Sequence, residues 1–173
     1  MNRRETLKTL MAASAGLVAL PSWAEGWSLE TLVSHSSTFS MAEQEILSAV
    51  ADTIIPAGDS IGALSVGVDK FLQKLFDRCY EKEVQDNIRK QLSALESSAR
   101  EKCGKQFGAC DQSQREQLLL MFAASDDKDQ SEFFKLIKSE TIRGFSTSKE
   151  VMVDFHKYKV APGHYHGCVD VNT

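Results

Sequence analysis

The chain has 173 residues, a formal net charge of −4 and 25% charged residues. That length accommodates one domain with its own core. An acidic balance without a basic stripe excludes a nucleic-acid surface, and no apolar run after residue 24 approaches the ~20 residues that a membrane-spanning helix needs.

The N-terminus reads MNRRETLKTLMAASAGLVALPSWAEG. Arg3, Arg4 and Lys8 form a basic region, Leu10–Leu20 is apolar, and Ser22-Trp23-Ala24 places small residues at a cleavage site. This predicts a secretory signal over residues 1–24, cut after Ala24; an uncleaved anchor is the alternative. The stretch Asn2-Arg3-Arg4-Glu5-Thr6-Leu7-Lys8 resembles a twin-arginine signal, with Thr6 where a bulky apolar residue is usual. Such signals export folded proteins. The signal has more bases than acids, so the exported part is more acidic than the whole.

Residues 25–38 are polar and serine-rich and read as a linker to a helical domain over 39–173. Ser40-Met41-Ala42-Glu43 fits a capping box. Ile46, Leu47, Val50, Ala51, Ile54 and Ile55 follow at helical spacing, and Pro56 stops the helix. Asp52 and Thr53, in its last turn, are expected to bond amides of the loop punctuated by Gly58, Gly62 and Gly67. A second helix is expected over Val68–Tyr80, with Phe71, Leu72, Leu75, Phe76 and Cys79 inward. A third, over Glu83–Cys103, carries the narrow stripe Val84, Ile88, Leu92, Leu95 and Ala99 and ends at Gly104 and Gly108. Asp111 or Ser113 caps a fourth helix bearing Leu118, Leu119, Met121 and Phe122. Ser125–Gln130 reads as a turn, and Ser131 opens a fifth helix with Phe133, Phe134, Ile137 and Thr141, closed by Gly144. No clean period follows. The fold class is mainly α: a single small domain of about five helices with an irregular C-terminal tail.

The motif search returns little catalytic chemistry. There is no G-x-G-x-x-G after a strand, no Walker loop and no G-x-S-x-G elbow. No nucleotide site is therefore expected in this chain. His164-x-His166-x-Cys168 could face one side of an extended segment and suit zinc or copper, with His156 as a further ligand. Surface histidines beside a structural or cross-linking cysteine are the alternative. None of Cys79, Cys103, Cys110 and Cys168 forms a C-x-x-C pair. Four cysteines allow three complete pairings. Cys103 and Cys110, close in sequence around a glycine-rich turn, are the pair expected to join first. Cys79 then reads as a buried thiol and Cys168 as a cysteine free to pair across a subunit boundary.

Several stretches taken in order resemble the gluconate 2-dehydrogenase subunit 3 family. They are the twin-arginine signal, Phe39-Ser40 before the first helix, ADTIIPAGDSIGALSVGVDKFL at 51–72, FFKLIKSETIRGFSTS at 133–148 and YKVAPGHYHGCV at 158–169. Residues 81–125 match only in helical character, and Cys79, Cys103 and Cys110 stand outside the pattern. The resemblance implies a non-catalytic small subunit that supplies the export signal and supports maturation of a large FAD-dependent partner of glucose-methanol-choline type. That partner oxidises a sugar, sugar acid or polyol. A cytochrome c subunit with haem c is implied as a possible third member. The complex would be periplasmic and associated with the inner membrane. Phe145, Phe155, Tyr158, Pro162, Gly163, Tyr165 and Cys168 are the expected docking residues, because aromatics anchor interfaces. The competing reading is an independent periplasmic metal-binding or interaction protein.

Overall fold

The computed structural model describes residues 37–159 and Gly163; Arg3, Arg4 and the whole signal stretch lie outside the described residues, as do Pro162, His164, Tyr165, His166 and Cys168. Where the chain enters, Ser37 Oγ and the Thr38 amide donate to Asp77 Oδ2 at 2.8 and 3.1 Å, and the Thr38 hydroxyl donates to Asp77 Oδ1. Phe39 is 3% exposed, with the Arg89 guanidinium 5.0 Å from its ring centre.

Helix α1, Met41–Ile54, begins in the capping box that the sequence predicts. Ser40 Oγ accepts from the Glu43 amide, and the Glu43 carboxylate accepts from the Ser40 amide at 2.7 Å. Ile46, Leu47, Val50 and Ala51 point inward. Ile54 and Ile55 are only half-buried against the core. The loop after Pro56 is closed at its base by the Ala63 amide donating to the Ile55 carbonyl at 2.9 Å. Gly62 belongs there because a Cβ would stand 2.4 Å from the Ala57 nitrogen.

Helix α2, Val68–Cys79, follows a short 3₁₀ turn at Leu64–Val66 and buries Leu72, Leu75 and Phe76. Cys79 is exposed rather than inward. The Tyr80 ring lies edge-on to Phe76, 5.5 Å between centres, and takes the cover that the helical period assigns to Cys79. Helix α3, Lys82–Cys103, buries Ile88, Leu92, Leu95 and Ala99 of the expected stripe, leaves its first member, Val84, half-buried against the core, and stops at Gly104 with φ +67°. A 3₁₀ turn at Phe107–Ala109 then drops Phe107 fully into the core, its amide held by Glu96 Oε2 at 2.9 Å.

Helix α4, Gln112–Ala123, is capped by Asp111 in a box with Gln114 and buries Leu118, Leu119 and Phe122. Met121 is 40% exposed, which corrects its expected place inside. Helix α5, Lys128–Ser146, starts earlier than expected, because Asp127 and not Ser131 is its cap; Asp127 Oδ1 accepts the Asp129 amide at 2.9 Å. Gly144 does not close it. It sits buried inside α5, where a Cβ would stand 2.6 Å from Phe71 Cδ1 and 2.9 Å from Cε1, so this glycine is a contact point between α5 and α2. A single π turn, Val151–Phe155, continues the order beyond Ser146, where no period was visible. Helices α1 and α5 each touch all four others, and no strand occurs among the described residues. The mainly α class, with five α-helices in one small domain, is as the sequence indicates.

Candidate partner-docking surface

The C-terminal edge is built on the last turns of α5. Its polar support is Glu140, whose carboxylate is mostly buried. Tyr80 donates its hydroxyl to Glu140 Oε1 at 3.0 Å, and Arg143 Nη2 stands 2.6 Å from Oε2 as an ion pair rather than an aligned hydrogen bond. Burial, and after it the Glu140 contact, push the Tyr80 hydroxyl above its ordinary pKa. Arg143 also lies 5.9 Å from the Phe71 ring centre. α5 is thus fixed to α2 by a glycine contact on one side and a carboxylate on the other.

From that support the chain turns outward. The π turn buries Val151 alone. Its exit is held by two backbone bonds, from the His156 amide to the Val151 carbonyl at 3.1 Å and from the Tyr158 amide to the Met152 carbonyl at 2.9 Å. Lys157 adopts φ +52°, a left-handed conformation that lets the chain reverse there. Phe155 is 57% and Tyr158 53% exposed. With Ile142 and Val153 they make up half of the eight exposed large apolar side chains among the described residues. Two exposed aromatics on one short turn are the kind of side chain that anchors an interface.

Of the docking residues expected from sequence, Phe155 and Tyr158 stand on this edge, and Gly163 is exposed with φ +76°. Phe145 does not join them; it packs partly buried against this domain's own core. The residues of the HYHGC stretch lie outside the described residues, and with them the proposed metal ligands. His156 is exposed, and among the described residues no group of His, Cys, Asp and Glu is arranged to hold a metal ion. Ile142 and Val153 escaped sequence reading, since a single apolar residue carries no sign of which way it faces.

A second surface lies along α1. An open groove of about 730 Å³ runs between α1, the end of α3 and the Gly104–Ala109 loop, with Met41 and Leu64 on its rim and Arg115 on its wall. Arg115 Nη2 bonds Asp52 Oδ2 and Gln112 Oε1, both at 3.0 Å, and Nη1 bonds the Ala49 carbonyl at 3.3 Å. Asp52 therefore ties α4 to α1 rather than binding the glycine loop. Thr53 likewise bonds within its own helix, donating to the Ala49 carbonyl at 2.6 Å, while its carbonyl accepts Gln112 Nε2. Both terminal nitrogens of Arg115 are engaged inside the fold, while its buried Nε has no hydrogen-bond partner, and the fork ties α4 to α1. No local signal pointed to it, because the partners are far apart in sequence.

Cys103 and Cys110, the pair expected to bridge, are neighbours in space, and both are free thiols in this structure.

No curated protein and no solved structure matches the chain significantly. Residues 41–163 match the family model described as gluconate 2-dehydrogenase subunit 3, a span that takes in all five helices, the groove and the aromatic edge, and the chain therefore belongs to that family.

Proposed function

We propose that this chain is the non-catalytic small subunit of a periplasmic, membrane-associated FAD-dependent dehydrogenase acting on a sugar, sugar acid or polyol. As a family member it is a subunit of a dehydrogenase complex. The observation that carries the reading is the family match across the whole helical domain, and the exposed aromatic edge at Phe155 and Tyr158 supports a docking role. In this reading Arg3 and Arg4 direct export of a pre-assembled pair. The flavoprotein must fold around FAD before it crosses the membrane, so a signal on the small subunit serves both chains. Haem c would belong to a third, cytochrome subunit. Cys168 would lock the tail to the large subunit through a disulfide.

Purification from the native periplasm under non-reducing conditions tests this. A yellow flavoprotein retained in equal amount supports the reading, and recovery of the chain alone refutes it. Substituting Arg3→Lys with Arg4→Lys is expected to leave both chains and the dehydrogenase activity in the cytoplasm. Periplasmic activity in that double variant would remove the escort role while leaving the subunit role standing.

A further inference from the structure

Cys103 ends α3 and Cys110 ends the 3₁₀ turn that follows, so the two thiols stand at opposite ends of the Gly104–Ala109 loop. Both belong to the core cluster or pack against it. They differ in access. Cys110 is 5% exposed, and its thiol donates to the Gln106 carbonyl at 3.3 Å, whereas Cys103 is only half-buried. The buried Phe107 ring and the Glu96 carboxylate, which accepts the Phe107 amide, tie the loop between them back onto α3. Gln106, Gly108 and Ala109 of this loop also form one wall of the groove beside α1.

We propose that Cys103 and Cys110 form an oxidation site with divided roles: Cys103 is the attacking thiol, Cys110 the resolving thiol, and the product is a disulfide that staples this wall of the groove. The oxidant is a disulfide, either a small one or that of an oxidised dithiol protein. The Cys103 thiolate attacks one sulfur of it, forming a mixed disulfide and releasing one thiol. Cys110 then gives up its proton to water and attacks Cys103 Sγ. The mixed disulfide breaks, the second thiol leaves, and the protein's two thiols are oxidised as the incoming disulfide is reduced to two thiols. Access sets the order, because only Cys103 meets an incoming molecule from outside. Burial first, then the contact with Cys103, raises the Cys110 thiol above its ordinary pKa, while the Lys105 charge pulls the other way. A neutral, enclosed Cys110 is protected from direct oxidation until its neighbour is engaged.

The test uses the full chain, purified reduced and incubated in the native state with oxidised glutathione. It is then denatured, alkylated and mapped by mass spectrometry. The expected result is a Cys103–Cys110 link lighter by two hydrogens, with Tm raised by about 10 °C and returned by dithiothreitol. In Cys110→Ser glutathione should remain on Cys103; in Cys103→Ser Cys110 should stay unmodified. Should Cys110→Ser fail to fold, the unsubstituted chain and Cys103→Ser still decide. Full alkylation of both thiols after oxidation overturns the proposal, as does linkage of either one to Cys79 or Cys168. Glutathione on Cys110 in Cys103→Ser overturns the division of roles.

Discussion

The described chain enters and leaves its domain in opposite ways. At the entrance, Ser37 and Thr38 are tied to Asp77, Phe39 is sealed under Arg89, and Ser40 and Glu43 cap each other. At the exit, Phe155 and Tyr158 stand in solvent, held by two backbone bonds across a π turn. Both segments carry aromatic side chains. What separates them is whether this domain supplies the partner groups. The entrance is completed by its own fold, whereas the exit presents apolar area that the domain leaves uncovered, which is how a segment that completes itself on another molecule looks when alone.

The contrast can be broken at either end. Phe39→Ala removes a sealed aromatic and its cation contact and is expected to cost about 3–5 kcal/mol, read as a lower denaturation midpoint at unchanged m-value. A loss below ~1 kcal/mol would show that the entrance is not part of the core. Gly144→Ala forces a methyl into the Phe71 ring and is expected to cost about 1–3 kcal/mol. Phe71→Leu in the same chain should recover part of that loss, so the two changes should be non-additive in a double-mutant cycle; strict additivity would deny the contact.

Tyr80→Phe acts on the support beneath the exit. It is expected to cost about 1 kcal/mol near neutral pH through the lost bond to Glu140. Because folding raises the Tyr80 pKa above its ordinary value of 10.0, the tyrosine's contribution is complete below that pH. It fades as pH rises through the raised folded value, since the unfolded chain gives up the proton first. The difference in Tm between the two proteins should therefore shrink in alkali; a constant gap would rule this out. The smallest effect on stability belongs to Phe155→Ala and Tyr158→Ala, each expected within ~0.5 kcal/mol of the parent. Both should weaken retention of the partner about tenfold or more in a pull-down titration. Destabilisation by several kcal/mol would place these rings in the domain's own packing.

What could be read from sequence was whatever is settled within a few residues. The α1 start was legible because Ser40 and Glu43 satisfy each other locally, and the α3 stripe because burial repeats along one face. The start of α5 was misplaced. Its first turn faces solvent, so the apolar period begins only at Phe133, while the cap, Asp127, hides in an acidic run. Gly144 looked like a stop because its reason for being glycine, Phe71, is on another helix. Cys79 fitted the inward period, yet the cover went to Tyr80. At the candidate site, Phe155 and Tyr158 were visible as aromatics beyond the last regular helix. Phe145 was grouped with them because composition does not say which aromatic folds back.

The loop between Pro56 and Gly62 has a practical consequence. Its base is clamped by the Ala63–Ile55 bond and by the tight approach of Gly62 to Ala57, while Gly58, Asp59 and Ser60 are exposed and a side chain at 58 would meet nothing within 4 Å. Lengthening a loop whose ends are already fixed adds little closure entropy, about 0.6 kcal/mol for each doubling. The tip between Gly58 and Ser60 is therefore a place to insert an epitope or a fluorophore-binding peptide. Such a tag would report where this chain travels and what it travels with, while leaving both the N-terminal arginines and the C-terminal tail in their native sequence.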